Sequence, residues 1–242
     1  MTFSLFNEQR LVSGQTSLSA FMASPSVVLD AFILEGNLIF SETLVTLARA
    51  ATGFIIGVIL AFVVAFIFFF SPVARILLYP LTVAINAFPI VGFAPVIILI
   101  FGQNSFLSIV FVSVLISYFP TLVCLDASAS RLKKEYIDLS KVLNLSRFQM
   151  YRKIIFPSSL PVLVVTAKLS IPASIIGAML GEWLGSRQGI GHLIIISMYQ
   201  LKPGILYASL ISVALVSLVF VIIIERVYPL LFPWLKDDLS ND

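Results

Sequence analysis

The sequence predicts an all-α, polytopic membrane protein of about five transmembrane helices, with a cytoplasmic helix–turn–helix in one basic loop. Three observations predict it. Of 242 residues, 60% are hydrophobic and 11% charged, with a mean hydropathy of +1.08, which leaves too little charge to cover a water-facing surface. Five apolar runs, 44–70, 76–101, 106–125, 160–181 and 205–224, are each long enough to cross a bilayer at 1.5 Å of helix rise per residue. None alternates in polarity over roughly ten residues as a barrel strand would, so helices that satisfy their own backbone are expected.

Residues 1–43 form a polar or interfacial segment ahead of a transmembrane domain, 44–227, and a cytoplasmic tail, 228–242. The first 24 residues are broken by Asn7, Glu8, Gln9 and Arg10 and lack the apolar stretch of a cleavable signal, so the spans themselves are expected to direct the chain to the membrane. Residues 18–34 are apolar in places but interrupted by Pro25 and Asp30, a pattern for a helix or hairpin lying on the membrane. Ser41, Glu42 and Thr43 then supply cap residues for the first span, with Glu42 near the positive end of its dipole.

The second run holds Pro80, Pro89 and Pro95 with Gly92, so its helix is expected to kink or break near mid-membrane, around Asn86. Such a break lines a cavity in many transporters, which makes Asn86, Phe88 and Pro89 candidate pathway residues. Orientation follows from the cations. Arg131, Lys133, Lys134, Lys141, Arg147, Arg152 and Lys153 are seven of the fifteen lysines and arginines, and they place the 131–157 loop in the cytoplasm. Counting spans outward puts Arg75 and the C-terminus inside, and the N-terminus and residues 182–203 outside.

That loop is too polar to span and too patterned for a slack linker. Ile137, Leu139, Val142, Leu143 and Leu145 recur at helical spacing, giving a short amphipathic helix before Asn144. Asn144 suits a left-handed turn, where only Gly does better. Ser146 caps a second helix over 147–155, which Pro157 ends. The shape is that of a docking element; a basic helix held at anionic headgroups is the alternative.

The loop resembles the signature of bacterial ABC-importer permeases: Glu-Ala-Ala, three residues, Gly, nine residues, Ile, one residue, Leu-Pro. Here it stands as Asp138-Leu139-Ser140, Asn144, Ile154, Phe156 and Pro157, with every spacing kept and substitutions at the acid, both alanines, the glycine and the leucine. Segments beginning at Ser24, Thr46, Phe88 and Gly181 are similar to the nitrate/sulfonate/taurine-type subfamily, and with the loop they cover most of the chain in order. The resemblance implies a bacterial inner-membrane permease, paired with a second copy, docked on cytoplasmic ABC ATPases and fed by an extracytoplasmic substrate-binding protein. It implies that Glu135, Asp138, Leu139, Ser140, Asn144, Arg147 and Pro157 form the ATPase-coupling element. Cargo would be a small organic molecule or anion, with a thiamine-pyrimidine precursor or other heterocycle favoured over sulfonate, taurine or nitrate.

The chain itself is expected to be no enzyme and to hold no cofactor, since ATP and Mg belong to the partner. No Gly-x-x-x-x-Gly-Lys-Ser/Thr loop occurs, and none of the twelve glycines precedes a lysine. Rival classes fare worse. A secondary transporter would need ionisable residues at mid-span and internal repeats, and a membrane enzyme would need clustered acids or a histidine pair. Nucleic acid is excluded as a partner by the lack of a basic patch interleaved with aromatics. Glu182, beside Trp183, reads as an outer gate or cargo contact, or as an interfacial charge snorkelling to water. Lys168, a further pathway candidate, and Arg49 sit in apolar runs, as anchors or paired with a carboxylate such as Glu182 or Asp126. Gln103 and Asn104 are cargo contacts or helix–helix links. Cys124 is a small buried hydrophobe, and His192, between Gly191 and Leu193, is a turn residue rather than a metal ligand.

Overall fold

The computed structural model describes residues 23–130, 136, 138, 140 and 142–231, and these are helical with short connections. In chain order the helices are α1, Pro25–Phe70; α2, Pro72–Ala87; α3, Ile90–Phe101; and α4, Phe106–Ser130. They continue as α5, Arg147–Gly185; α6, Ile190–Tyr199; and α7, Pro203–Leu231. Four of these are long and apolar enough to cross a membrane, five if the bent α2–α3 pair is counted as one span. Glu135 and Leu139 of the predicted coupling element, and most of the 228–242 tail, lie outside the described residues.

The first correction concerns α1. It does not begin at residue 44 behind a separate interfacial segment; one helix of 46 residues runs from Pro25, about 69 Å at 1.5 Å per residue. Pro25 starts the helix instead of interrupting it, because in the first turn its missing N–H is not needed. Ser41, Glu42 and Thr43 are therefore mid-helix, and the Thr43 hydroxyl donates back to the Ile39 carbonyl at 2.6 Å. Ser71 ends α1 and caps α2, accepting the Ala74 N–H at 3.2 Å, with Pro72 in the first turn.

The predicted break of the second span falls at Phe88-Pro89, where α2 and α3 meet at a bend of 97°. Pro80 and Pro95 stay inside helices; only Pro89, preceded by Phe88 in extended conformation, interrupts the chain.

At the centre, α4 lies between α1 and α5 and packs on both. Small residues make the approach close. A Cβ on Gly177 would stand 2.7 Å from the Ser113 Cα, so α5 rests on α4 backbone to backbone. Hydroxyls then fasten the seam: Ser113 donates to the Ser174 carbonyl at 2.8 Å, and Thr121 and Ser170 share a bond of 2.9 Å. Around it, Ile109, Ile175, Ala178, Ile190 and Ala208 form the largest apolar cluster, joining α4, α5, α6 and α7.

Candidate functional site

Two regions of this bundle carry polar geometry beyond packing. One is the predicted coupling element. Asn144 has φ +50°, the left-handed conformation expected of it. The Leu145 N–H donates to the Ser140 carbonyl at 2.9 Å, the six-residue closure that accompanies a left-handed helix end. Two residues later the next helix starts with a reciprocal cap: Ser146 Oγ accepts the Gln149 N–H, and Gln149 Oε1 accepts the Ser146 N–H. The turn presents apolar surface, with Val142 82% and Phe148 57% exposed, alongside exposed Asp138 and Arg147.

Pro157 does not end the second helix. Tyr151–Ile155 form a π-helical turn, in which the Phe156 N–H reaches back to the Tyr151 carbonyl, and Pro157 falls in the first turn of the α-helical stretch Phe156–Gly185. The wide turn absorbs the bond that proline cannot donate, so the loop's second helix and the fourth span are one rod. Its start is tied to the end of α1 by aromatic contacts: Tyr151 meets Phe66 edge-on at 4.9 Å and Phe69 at 5.5 Å, and Phe156 lies 5.8 Å from Phe62.

The second region is a buried ion pair at the other end of α5. Arg49 Nη1 lies 2.8 Å from Glu182 Oε1, with Arg49 5% and Glu182 0% exposed. Glu182 Oε2 also accepts from Thr46 Oγ1 at 2.8 Å and from the Gly191 N–H at 3.0 Å. Arg49 further donates to Ser186 Oγ at 3.2 Å and to the Gln188 carbonyl at 2.8 Å. Thr46 Oγ1 accepts the Ile190 N–H at 2.8 Å, and Glu42 accepts the Gly189 N–H. Gly189 has φ +103° and packs on the Glu182 carboxylate, a place without room for a side chain. Three backbone groups, the Gln188 carbonyl and the Gly189 and Ile190 N–H, thus hold this connection and the start of α6 to α1, and the charge pair joins α1 to α5. A buried charge without such partners would cost several kcal/mol.

Glu182 therefore does not snorkel; it is the partner of Arg49. Lys168 pairs instead with Glu225 of α7 at 3.0 Å, and Arg75 with Asp126 and Ser130 at 2.9 and 3.1 Å. Asn86, Phe88 and Pro89 come together, exposed, at the α2–α3 break. Phe88 there lines an apolar cleft of ≈ 480 Å³ with Phe93 and Phe111. Lys168 and Glu182 stand apart from that break and about 21 Å from each other along α5. The sequence offered a carboxylate partner for Arg49 beside an anchoring role and Glu42 as a cap, and gave no role to Thr46 or Ser186. The signal available was Glu42, Thr46 and Arg49 at helical spacing on one face of an otherwise apolar run. Among the described residues no group of three potential metal ligands occurs.

A bundle of membrane-length helices with a broken span and a capped loop helix is the architecture of a polytopic membrane protein. Residues 53–237 match the family described as "Binding-protein-dependent transport system inner membrane component", and the chain belongs to that family. It is 28% identical to the formylaminopyrimidine transport permease protein of Halalkalibacterium halodurans, over 87% of this chain and 84% of the relative. It is 29% identical to the riboflavin transport system permease protein of Chloroflexus aurantiacus, over 88% and 80%. Relatives named for aliphatic sulfonates and for bicarbonate also match. The fold is shared with a chain of the inward-facing MetNI methionine ABC transporter, TM-score 0.72 at 14% identity, over 86% of this chain and 98% of that one. The protein is a multi-pass permease subunit of an ABC importer, a family whose members work with a separate ATPase and a substrate-binding protein.

Proposed function

We propose that two copies of this chain form the translocation path, with the 131–157 loop on the cytoplasmic side receiving an ABC ATPase and the 182–203 region facing the binding protein. The observation that carries this reading is the left-handed Asn144 between two capped helix ends, flanked by exposed Val142 and Phe148. A loop that only rests on headgroups has no use for a fixed turn; a loop that fits a groove does. Asp138, Ser140, Asn144 and Arg147 lie on this element, with Pro157 in the rod behind it, and Glu135 and Leu139 belong to it by sequence. Closure of two ATPases on bound ATP and Mg would move the loop as a body, and α5 would carry the displacement into the bundle. ATP hydrolysis then resides in the partner, and this chain performs none.

Cargo is proposed to be a small heterocycle such as a thiamine-pyrimidine precursor. Support comes from the similarity to the two relatives named for formylaminopyrimidine and riboflavin. The apolar lining of the cleft at Phe88 suits such a molecule better than a sulfonate, taurine or nitrate.

Asn144 provides the test. Asn144→Gly keeps the left-handed turn and is expected to retain co-purification of the ATPase and cargo uptake; Asn144→Val, strained at positive φ, is expected to lose both. Equal uptake by the two variants, with the ATPase bound to each, would sink the docking assignment.

A further inference from the structure

A second cleft, of ≈ 380 Å³, opens beside the buried ion pair, between the α3–α4 connection, the end of α5 and α6. Its walls bring together Gln103, Asn104, Trp183, Arg187, His192 and Tyr199. We propose that this cleft is a cargo site for a small planar heteroaromatic molecule with hydrogen-bonding edges. The proposal rests on the importer reading above and adds to it a place and a chemical class.

Three observations support it. The volume falls at the small end of the range for ligand pockets, about 300–1,000 Å³. Trp183 and Tyr199 offer ring faces, 40% and 76% exposed, and His192 a third planar group. The Arg187 guanidinium and the Gln103 amide line the same cleft, and among the described residues neither side chain has a hydrogen bond or an ion pair. Aromatic faces with a few convergent donors and acceptors match a flat ring that carries polar groups on its edge. A compact anion or a saturated zwitterion would engage Arg187 and leave the ring faces unused.

The wall is also built to hold its shape. Asn104 is left-handed, φ +57°, and its Oδ1 accepts the Arg187 N–H at 3.0 Å. With that oxygen engaged, the amide nitrogen is left to donate elsewhere. Ser186, buried behind the wall, donates to the Gln188 carbonyl at 2.6 Å and accepts from Arg49. The backbone of this wall is thus tied to the ion pair through Ser186, and Asn104 is tied to that backbone at Arg187. Rigid support of this kind is what a recognition site requires.

The chain holds two tryptophans, so Trp234→Phe leaves Trp183 as its only one, and the same complex carrying Trp183→Phe as well gives the background to subtract. In full-length protein in lipid nanodiscs with its co-purified ATPase, formylaminopyrimidine is expected to change Trp183 fluorescence saturably, and taurine at the same concentration is not. Arg187→Gln and His192→Ala are each expected to weaken formylaminopyrimidine binding about tenfold, the loss of one good hydrogen bond. Retention of the ATPase by both variants reports that they fold. No saturable response to formylaminopyrimidine, an equal response to taurine, or an unchanged affinity in the double variant overturns the site. If the ATPase is present and the cleft is silent, the site fails and the importer reading stands. Saturable binding without any associated ATPase would bring down the importer reading and keep the site.

Discussion

The two ends of α5 are held by opposite means. At Glu182 every polar atom is engaged and buried, and the carboxylate joins α1, the 186–189 connection and the start of α6. At Tyr151 the same rod meets α1 through aromatic faces, beside a π turn and an exposed capped loop. A saturated charge network has essentially one low-energy arrangement, because any displacement strands a buried charge. Ring-on-ring contacts worth about 1 kcal/mol each can slide at small cost. The molecule thus pairs a fixed end with a yielding one, as expected if force enters at the loop and is resisted at Glu182.

The largest expected effect comes from breaking the fixed end. Arg49→Met alone leaves the Glu182 carboxylate buried and uncompensated, and a loss of about 3–5 kcal/mol is expected, read as a steep fall in thermal stability in detergent. Adding Glu182→Met should recover much of that loss; a double variant as unstable as the single would mean the pair is not the clamp. Next in size is the seam between the two ends. Gly177→Ala forces a methyl to 2.7 Å from the Ser113 Cα, and overpacking of about 1–3 kcal/mol is expected in the same melt. Tyr151→Ala, at the yielding end, should cost less stability, about 1–2 kcal/mol, yet uncouple ATP hydrolysis from uptake. Unchanged coupling there would erase the contrast between the ends. Lys168→Met is the smallest: its pair with Glu225 is about one-third and one-half exposed, so a change under about 1 kcal/mol is expected.

Much of the fold is written locally in the chain. Five apolar runs became the spans, Pro89 broke the second, Asn144 took its left-handed turn and Ser146 its cap, each decided by residues within a few positions. The start of α1 was misjudged because Pro25 and Asp30 read as interruptions, although proline in a first turn begins a helix as readily as it ends one. Pro157 was misjudged because a π turn is invisible to periodicity. The clamp was only half legible. Glu182 and Arg49 are 133 positions apart, and what selects Glu182 over Asp126 is the packing of α1 and α5 on α4 through Gly53 and Gly177, a property of three helices at once. The cleft beside it draws its walls from three separate stretches, which no single motif announces.

The π turn at Tyr151–Ile155 has a further consequence for how the two ends are phased. It is one residue inserted into an otherwise regular screw. The wide turn takes up that residue within a single turn, so the loop's helix and the span behind it stay in phase; removing one residue from α-helical backbone instead would rotate the loop by about 100° around the rod's axis. The wide turn thus acts as a spacer that admits one extra residue between the loop and the clamp while leaving their relative bearing nearly unchanged.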